Sequence, residues 1–326
     1  MRRLYFVDTT LRDGQMSLWA SRMRTGMMLP IAPQLDRAGF LAIEVISSSF
    51  YKKCVRELRE DPWERLQRLS ESIAHTPLRA IAGRHVAAFQ ITPRSVRRLW
   101  LERLVAHGVR EVRISDPSNT PAFWRELVAE ARSVGLTPIL NLIYSVSPKH
   151  TDEYYAEKAR QAAQLEVARI CIKDPGGLIT PERTRSLVPV VLQNAGSIPV
   201  EFHTHCNTGL GPLCCLEAAK LGIEILNVAI PPLANGPSNP SVFNVARNAR
   251  ALGFVPEIDE QAVQAVSEHL FEVARREHFP IGRPLEYDCA YYRHQVPGGM
   301  ISNLRHQLAQ MGREHLLEAV LEEIAQ

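Results

Sequence analysis

Short runs of aliphatic and β-branched residues alternate along this chain with longer amphipathic stretches, and the alternation repeats eight times. Strand-like runs occupy 4–8, 41–47, 78–83, 109–115, 137–144, 167–173, 198–205 and 223–230. Helix-like patterns lie between them, at 62–74, 95–107, 121–134, 151–164, 181–193 and 213–221. Asp61-Pro62, Thr120-Pro121 and Thr180-Pro181 each put a capping residue before a proline suited to the first helical position. Gly39, Gly108, Gly135 and Gly222 stand where helices should end before the next strand. Repeated β-then-α units predict an α/β protein, a (β/α)8 TIM barrel. An open doubly wound sheet is the alternative, but no GxGxxG follows the first strand. From about residue 258 the pattern is helical to the end, broken at 280–284 and 296–299. The expected organisation is a catalytic barrel over 1–257 and a helical extension over 258–326 packed against it.

Composition narrows the function classes. The 326 residues are 45% apolar, and 38 basic against 35 acidic residues leave a formal charge of +3, too balanced to imply a nucleic-acid partner. The six cysteines form no CxxC pair, and Met1-Arg2-Arg3 runs straight into the first strand without a leader. No apolar stretch reaches the ~20 residues that span a bilayer. The expectation is a cytoplasmic, homo-oligomeric enzyme with reduced thiols, acting on a small molecule, with no membrane partner.

Active sites of such barrels lie at the C-terminal ends of the strands. Polar residues there are Asp8, Asp116 and Asn119, Lys173 and Asp174, and the pair His203 and His205. In a strand, residues two apart share a face about 7 Å apart, so both imidazoles of the HxH point one way. With Asp8 they supply a carboxylate and two imidazoles, a set that suits Mn²⁺, Zn²⁺ or Co²⁺ better than Ca²⁺. Lys173, on the neighbouring strand, becomes an oxygen ligand if it carries a carbamate. Taken singly, each has an ordinary structural explanation: a helix cap for Asp8, a satisfied core histidine for His203, a salt bridge for Lys173.

The run Asp8-Thr9-Thr10-Leu11-Arg12-Asp13-Gly14-Gln15 resembles the opening signature of the DRE-type metal-dependent TIM-barrel lyases. Three further segments are similar to one branch of them, the carboxyltransferase domain of pyruvate carboxylase and the alpha subunit of oxaloacetate decarboxylase. These are Glu60-Asp61-Pro62-Trp63-Glu64-Arg65-Leu66, Ile172-Lys173-Asp174-Pro175-Gly176-Gly177-Leu178, and Tyr292-Arg293-His294-Gln295-Val296-Pro297-Gly298-Gly299-Met300. The resemblance implies Asp8, carbamylated Lys173, His203 and His205 as metal ligands, with Arg12 and Gln15 facing the substrate oxygen. It implies carbon–carbon bond making or breaking next to a carbonyl, through an enolate that fixed positive charge stabilises.

The chain departs from that branch in two places. Ala82 stands where an arginine would clamp the carboxylate of a 2-oxo acid, which makes Arg84, with His85 second, the candidate for the substrate anion. Pro237 stands where a threonine would shuttle a proton to biotin; Ser238 beside it is a displaced substitute. No Met-Lys-Met attachment sequence occurs, so biotin would arrive on a separate carrier chain. One reading is therefore a metal-dependent carboxyltransferase or decarboxylase on an oxo acid. The others are a biotin-independent carbon–carbon lyase and, least favoured, a non-catalytic scaffold subunit.

Overall fold

The computed structural model describes residues 2–86 and 92–325. Its strands are β1 (Arg3–Asp8), β2 (Ala42–Ser47), β3 (Leu78–Ala82), β4 (Val109–Ile114), β5 (Thr137–Ile143), β6 (Arg169–Asp174), β7 (Val200–Thr204) and β8 (Ile225–Val228). Each pairs in parallel with the next, and β1 pairs with both β8 and β2, which closes the ring into a TIM barrel. A ninth strand, β9 (Val255–Pro256), adds two residues beside Arg3 and Leu4. It is too short to leave a periodic signature in the sequence.

Helix boundaries follow the local chemistry. The Asp61 carboxylate accepts from the Trp63 amide at 2.8 Å, and the Thr180 hydroxyl from the Arg183 amide at 3.1 Å. Thr120 makes no such cap, because its hydroxyl accepts from Arg84 instead. Gly39, Gly108, Gly135 and Gly222 have φ of 86, 85, 89 and 113°, the left-handed turns that end helices.

Register decides what the barrel contains, since neighbouring partners on parallel strands point to the same side. Lys173 pairs with His203, Asn227 with Val7, and Val7 with Ala42. These residues face inward, and Phe6, Asp8, Ile43 and Val228 face the surrounding helices. Aliphatic layers do not fill the interior. Arg79, Arg113 and Arg169 interleave there with Glu44, Glu111 and Glu201, all six buried or nearly so. Arg79 grips both oxygens of Glu201 at 2.9 and 2.8 Å, and Arg113 meets Glu44 at 2.6 Å. Equal numbers of each sign leave no charge uncompensated, the condition under which buried ions are tolerable.

After the barrel strands, helix Glu260–Glu277 buries Val263, Val266, Leu270 and Val273 along one face. Helix Gly298–Gln310 packs Ile301 and Leu308 against Leu317 and Leu321 of helix Leu317–Ile324 in a small separate core. It is tied to helix Gln15–Trp19 by a hydrogen bond from the Ser302 hydroxyl to the Ser17 carbonyl. No helix among the described residues is long and apolar enough to cross a membrane.

Candidate metal centre and substrate cavity

Three buried donors converge at the end of the barrel from which the β-strands exit. His203 and His205 come from β7 and the residue after it, and Asp13 from the turn that follows β1. The Nε2 atoms of His203 and His205 lie 3.2 and 3.4 Å from Asp13 Oδ2. Lys173 Nζ approaches the same oxygen at 3.6 Å.

The far side of each imidazole sets its tautomer. His203 Nδ1 lies 3.0 Å from Asn227 Oδ1, and His205 Nδ1 lies 2.6 Å from the Pro237 carbonyl. Both partners accept, so both Nδ1 atoms carry the proton; the Nε2 lone pairs face the Asp13 carboxylate, and that of His203 also accepts from the Asn239 amide at 3.2 Å. Lone pairs facing an anion repel unless a cation sits between them. Asp13 fits that reading through its buried Oδ1, which has no hydrogen-bond partner, while Oδ2 ion-pairs with Arg12 at 2.8 Å. Burial would raise its pKa, but the neighbouring Arg12 and Lys173 cations hold it well below the usual range. Burial and then Lys173 keep His203 neutral, the form that binds metal. The donor set therefore fits a first-row divalent ion.

The set is braced from behind. Arg12 meets Asp13 at 2.8 Å and donates through Nε to Glu44 at 3.0 Å. Glu44 binds Arg113, Arg113 donates to Asn227, and Asn227 returns to His203. This closed loop fixes Arg12 and the His203 ring relative to each other. Burial would raise the Glu44 pKa, yet Arg113, Arg12, Lys173 and Arg79 bring it down to about 2. Burial first, then Arg113 and Arg12, lowers Lys173 to about 8 against the pull of Asp13 and Glu44. Its neutral amine is thus accessible near physiological pH.

The sequence-derived residues divide. His203, His205, Lys173 and Arg12 meet at the centre, and Arg12 and Lys173 line the cavity above it. Asp8 does not join them. Its place in β1 turns it outward, where its Oδ1 accepts from the Thr10 amide at 3.2 Å and the Thr10 hydroxyl at 2.5 Å. Asp13 takes the position expected of Asp8. Gln15 is buried, accepts from the Met23 amide at 3.4 Å and is absent from the cavity wall. Arg84 is locked onto both oxygens of Asp116, at 2.9 and 3.0 Å, and lies over the Phe123 ring. Asp116 is thereby occupied as a loop anchor. Asn119 clamps the backbone of Ile143 through both ends of its amide. The Ser238 hydroxyl donates to the Leu233 carbonyl at 2.7 Å. Arg84, Asp116, Asn119 and Ser238 therefore hold loops together instead of facing substrate. His85 does line the cavity.

That cavity has a volume of about 910 Å³, within the ordinary range for a small-molecule site. Arg12, Asp13, Lys173 and His205 line it. Lys52, Lys53 and Arg56, from the segment after β2, and Met300 and Asn303, from helix Gly298–Gln310, complete its walls. Asp13, Glu44, Asn227 and these lysines gave no clear sign of their roles in the sequence. Asp13 alone left a usable signal there, being beside Arg12 in the Asp8–Gln15 motif.

Comparison with known proteins agrees with this architecture. Residues 3–270 match the HMGL-like family model, and residues 291–326 match the conserved carboxylase domain. A pyruvate carboxylase subunit of Methanocaldococcus jannaschii is 33% identical over 98% of this chain and 56% of its own length. The 2-oxoglutarate carboxylase large subunit of Hydrogenobacter thermophilus is 28% identical over 99% of this chain and 50% of its own. The carboxyl transferase domain from Rhizobium etli pyruvate carboxylase superposes with a TM-score of 0.90 at 25% identity, over 100% of this chain and 56% of that one. This chain thus spans about half the length of the curated relatives it matches first.

Proposed function

Since the chain belongs to the HMGL-like family and its residues 291–326 match the conserved carboxylase domain, we propose that it is a metal-dependent carboxyltransferase or decarboxylase acting on an oxo acid through an enolate. The observation that carries this reading is the convergence of Asp13, His203 and His205, with Arg12 and Lys173 beside them, next to a cavity that Arg12, Asp13, Lys173 and His205 line. A divalent ion held by those three residues would polarise a carbonyl oxygen as a Lewis acid. Arg12, held in place by Glu44, puts a fixed guanidinium charge beside the position where enolate charge develops. Neutral Lys173 can add CO₂ at Nζ, losing one proton to give a carbamate whose oxygens complete the ligand set.

Biotin is the carrier this reading calls for, and a Rhizobium etli carboxyl transferase domain is known with pyruvate and biocytin. A second reading, a biotin-independent carbon–carbon lyase, draws support from the segment after β8. Pro237 has no hydroxyl, its carbonyl is taken by His205, and the Ser238 hydroxyl is taken by Leu233. Positioned acids contribute roughly 10²–10⁴ in rate, and this segment provides none. The test is CO₂ release from 2-oxo and 3-oxo acids by the metal-loaded chain, with and without a biotin carrier. Release that requires metal and drops at least about a hundredfold in Arg12→Gln is expected. Stimulation by the carrier selects the first reading, and indifference selects the second. Metal-loaded protein inert towards every acid under both conditions would contradict both.

A further inference from the structure

Gln295-Val296-Pro297-Gly298-Gly299 takes no part in the chemistry proposed above, yet it packs against the loops that support the metal centre. His205 stands one residue past the end of β7, and its ring is held from the loop after β8. Its Nδ1 lies 2.6 Å from the Pro237 carbonyl, and the next amide, that of Cys206, donates to the next carbonyl, that of Ser238, at 2.9 Å. Two successive residues of one loop thus meet two successive residues of the other. Gly298 backs this joint. A Cβ there would lie 2.6 Å from the Pro237 carbonyl oxygen and 2.6 Å from Asn207 Oδ1, so only a glycine backbone reaches both loops. Asn207, two residues beyond His205, donates in turn to the Gly176 carbonyl at 2.9 Å. The segment is fastened on either side of Gly298. The Gln295 amide grips the N–H and the carbonyl of Val146 at 3.2 and 2.9 Å, and the Ser302 hydroxyl donates to the Ser17 carbonyl. Between these fastenings, Pro297, Gly299 and Met300 line the cavity that Arg12, Asp13, Lys173 and His205 also line.

Resting on the metal centre of the proposed function, we infer that Gly298 and Gln295 are positioning residues for His205. Docking of helix Gly298–Gln310 and binding of the divalent ion at His205 form one linked equilibrium. With the segment seated, Gly298 keeps Pro237 in place, and the Pro237 carbonyl keeps the imidazole turned with Nε2 towards Asp13. With the segment lifted, the loop after β8 is free to withdraw that carbonyl, and the ring loses the partner that orients it. The coupling is reciprocal: an ion that binds only the oriented ring favours the seated segment by the same factor. One wall of the cavity and the metal centre therefore assemble together.

Mn²⁺ titration of the full chain, read from the paramagnetic resonance of the free ion, tests this. Wild type is compared with Gly298→Ala, with Gln295→Ala, and with Leu104→Ala, which truncates a buried side chain on helix Arg94–Ala106. Loss of an outer partner of a metal ligand costs about 10–100-fold in affinity, so Gly298→Ala should weaken Mn²⁺ binding about tenfold or more. Gln295→Ala, which removes a partly exposed side chain and spares the core, should weaken it in the same direction. Leu104→Ala should lower stability and keep the wild-type affinity. Amide exchange over 295–303 in the wild type should slow with saturating Mn²⁺, beyond any change in helix Glu260–Glu277. Wild-type affinity in either folded variant of the segment, equal weakening in Leu104→Ala, or exchange over 295–303 indifferent to Mn²⁺ would overturn the inference alone. A wild type that binds no Mn²⁺ would overturn the proposed function with it.

Discussion

Asp8 and Asp13 stand in one short motif, yet the fold gives them opposite tasks. Two-residue alternation along β1, with Val7 inward, turns Asp8 towards the helices. The irregular turn Thr10–Gly14 then brings Asp13 back over the barrel axis. The histidines were legible in the sequence because they sit on a regular strand, where spacing dictates direction. Asp13 was not, because no periodicity governs a turn. Arg84 failed for another reason: a long cationic side chain goes to the nearest buried carboxylate, and Asp116 supplies one. Lys173 offers a test at this scale. Burial, then Arg113 and Arg12, lower it to about 8, so the amine fraction that can add CO₂ grows as pH rises through that value. Bicarbonate should tighten metal binding, more at pH 8.5 than at pH 6.5, and Lys173→Ala should lose the effect. A titration in which bicarbonate acts equally on both proteins would exclude the carbamate.

Among the elements, the eight barrel strands were legible to within about two residues at most ends, since a continuous apolar run bounded by turn signals has few alternatives. The short helices Gln15–Trp19, Ala32–Arg37 and Tyr51–Lys53 were not legible. They are too brief to show a 3.6-residue period, and the last carries Lys52. The start of helix Gly298–Gln310 depends on one missing side chain. A Cβ on Gly298 would lie 2.5 Å from Pro237 Cβ and 2.6 Å from both the Pro237 carbonyl and Asn207 Oδ1. Gly298→Ala should therefore push this helix off the loop after β8 and lower stability by about 1–3 kcal/mol, the usual cost of overpacking. Denaturant unfolding reads the loss. Wild-type stability in Gly298→Ala would show that the helix docks without that close approach.

At the scale of the whole molecule, a barrel interior filled by paired arginines and glutamates serves as a rigid base for the candidate metal centre. Glu44, Arg113 and Asn227 join that base to Arg12 and His203, so ion pairing within the barrel and geometry at the centre are set by the same side chains. The fold and its chemical class could be read from repeated β/α units and from the HxH, but this interior network could not, because its members are far apart in sequence and meet only through strand register. The central claim is that Asp13, His203 and His205 hold a divalent metal. Its most direct test is elemental analysis of wild type, Asp13→Ala and Asp8→Asn, purified in parallel without chelator. About one ion per chain in the wild type and in Asp8→Asn, with near-complete loss in Asp13→Ala, is the predicted result. A metal-free wild type, or an Asp13→Ala protein that keeps its ion while Asp8→Asn loses it, would contradict the account.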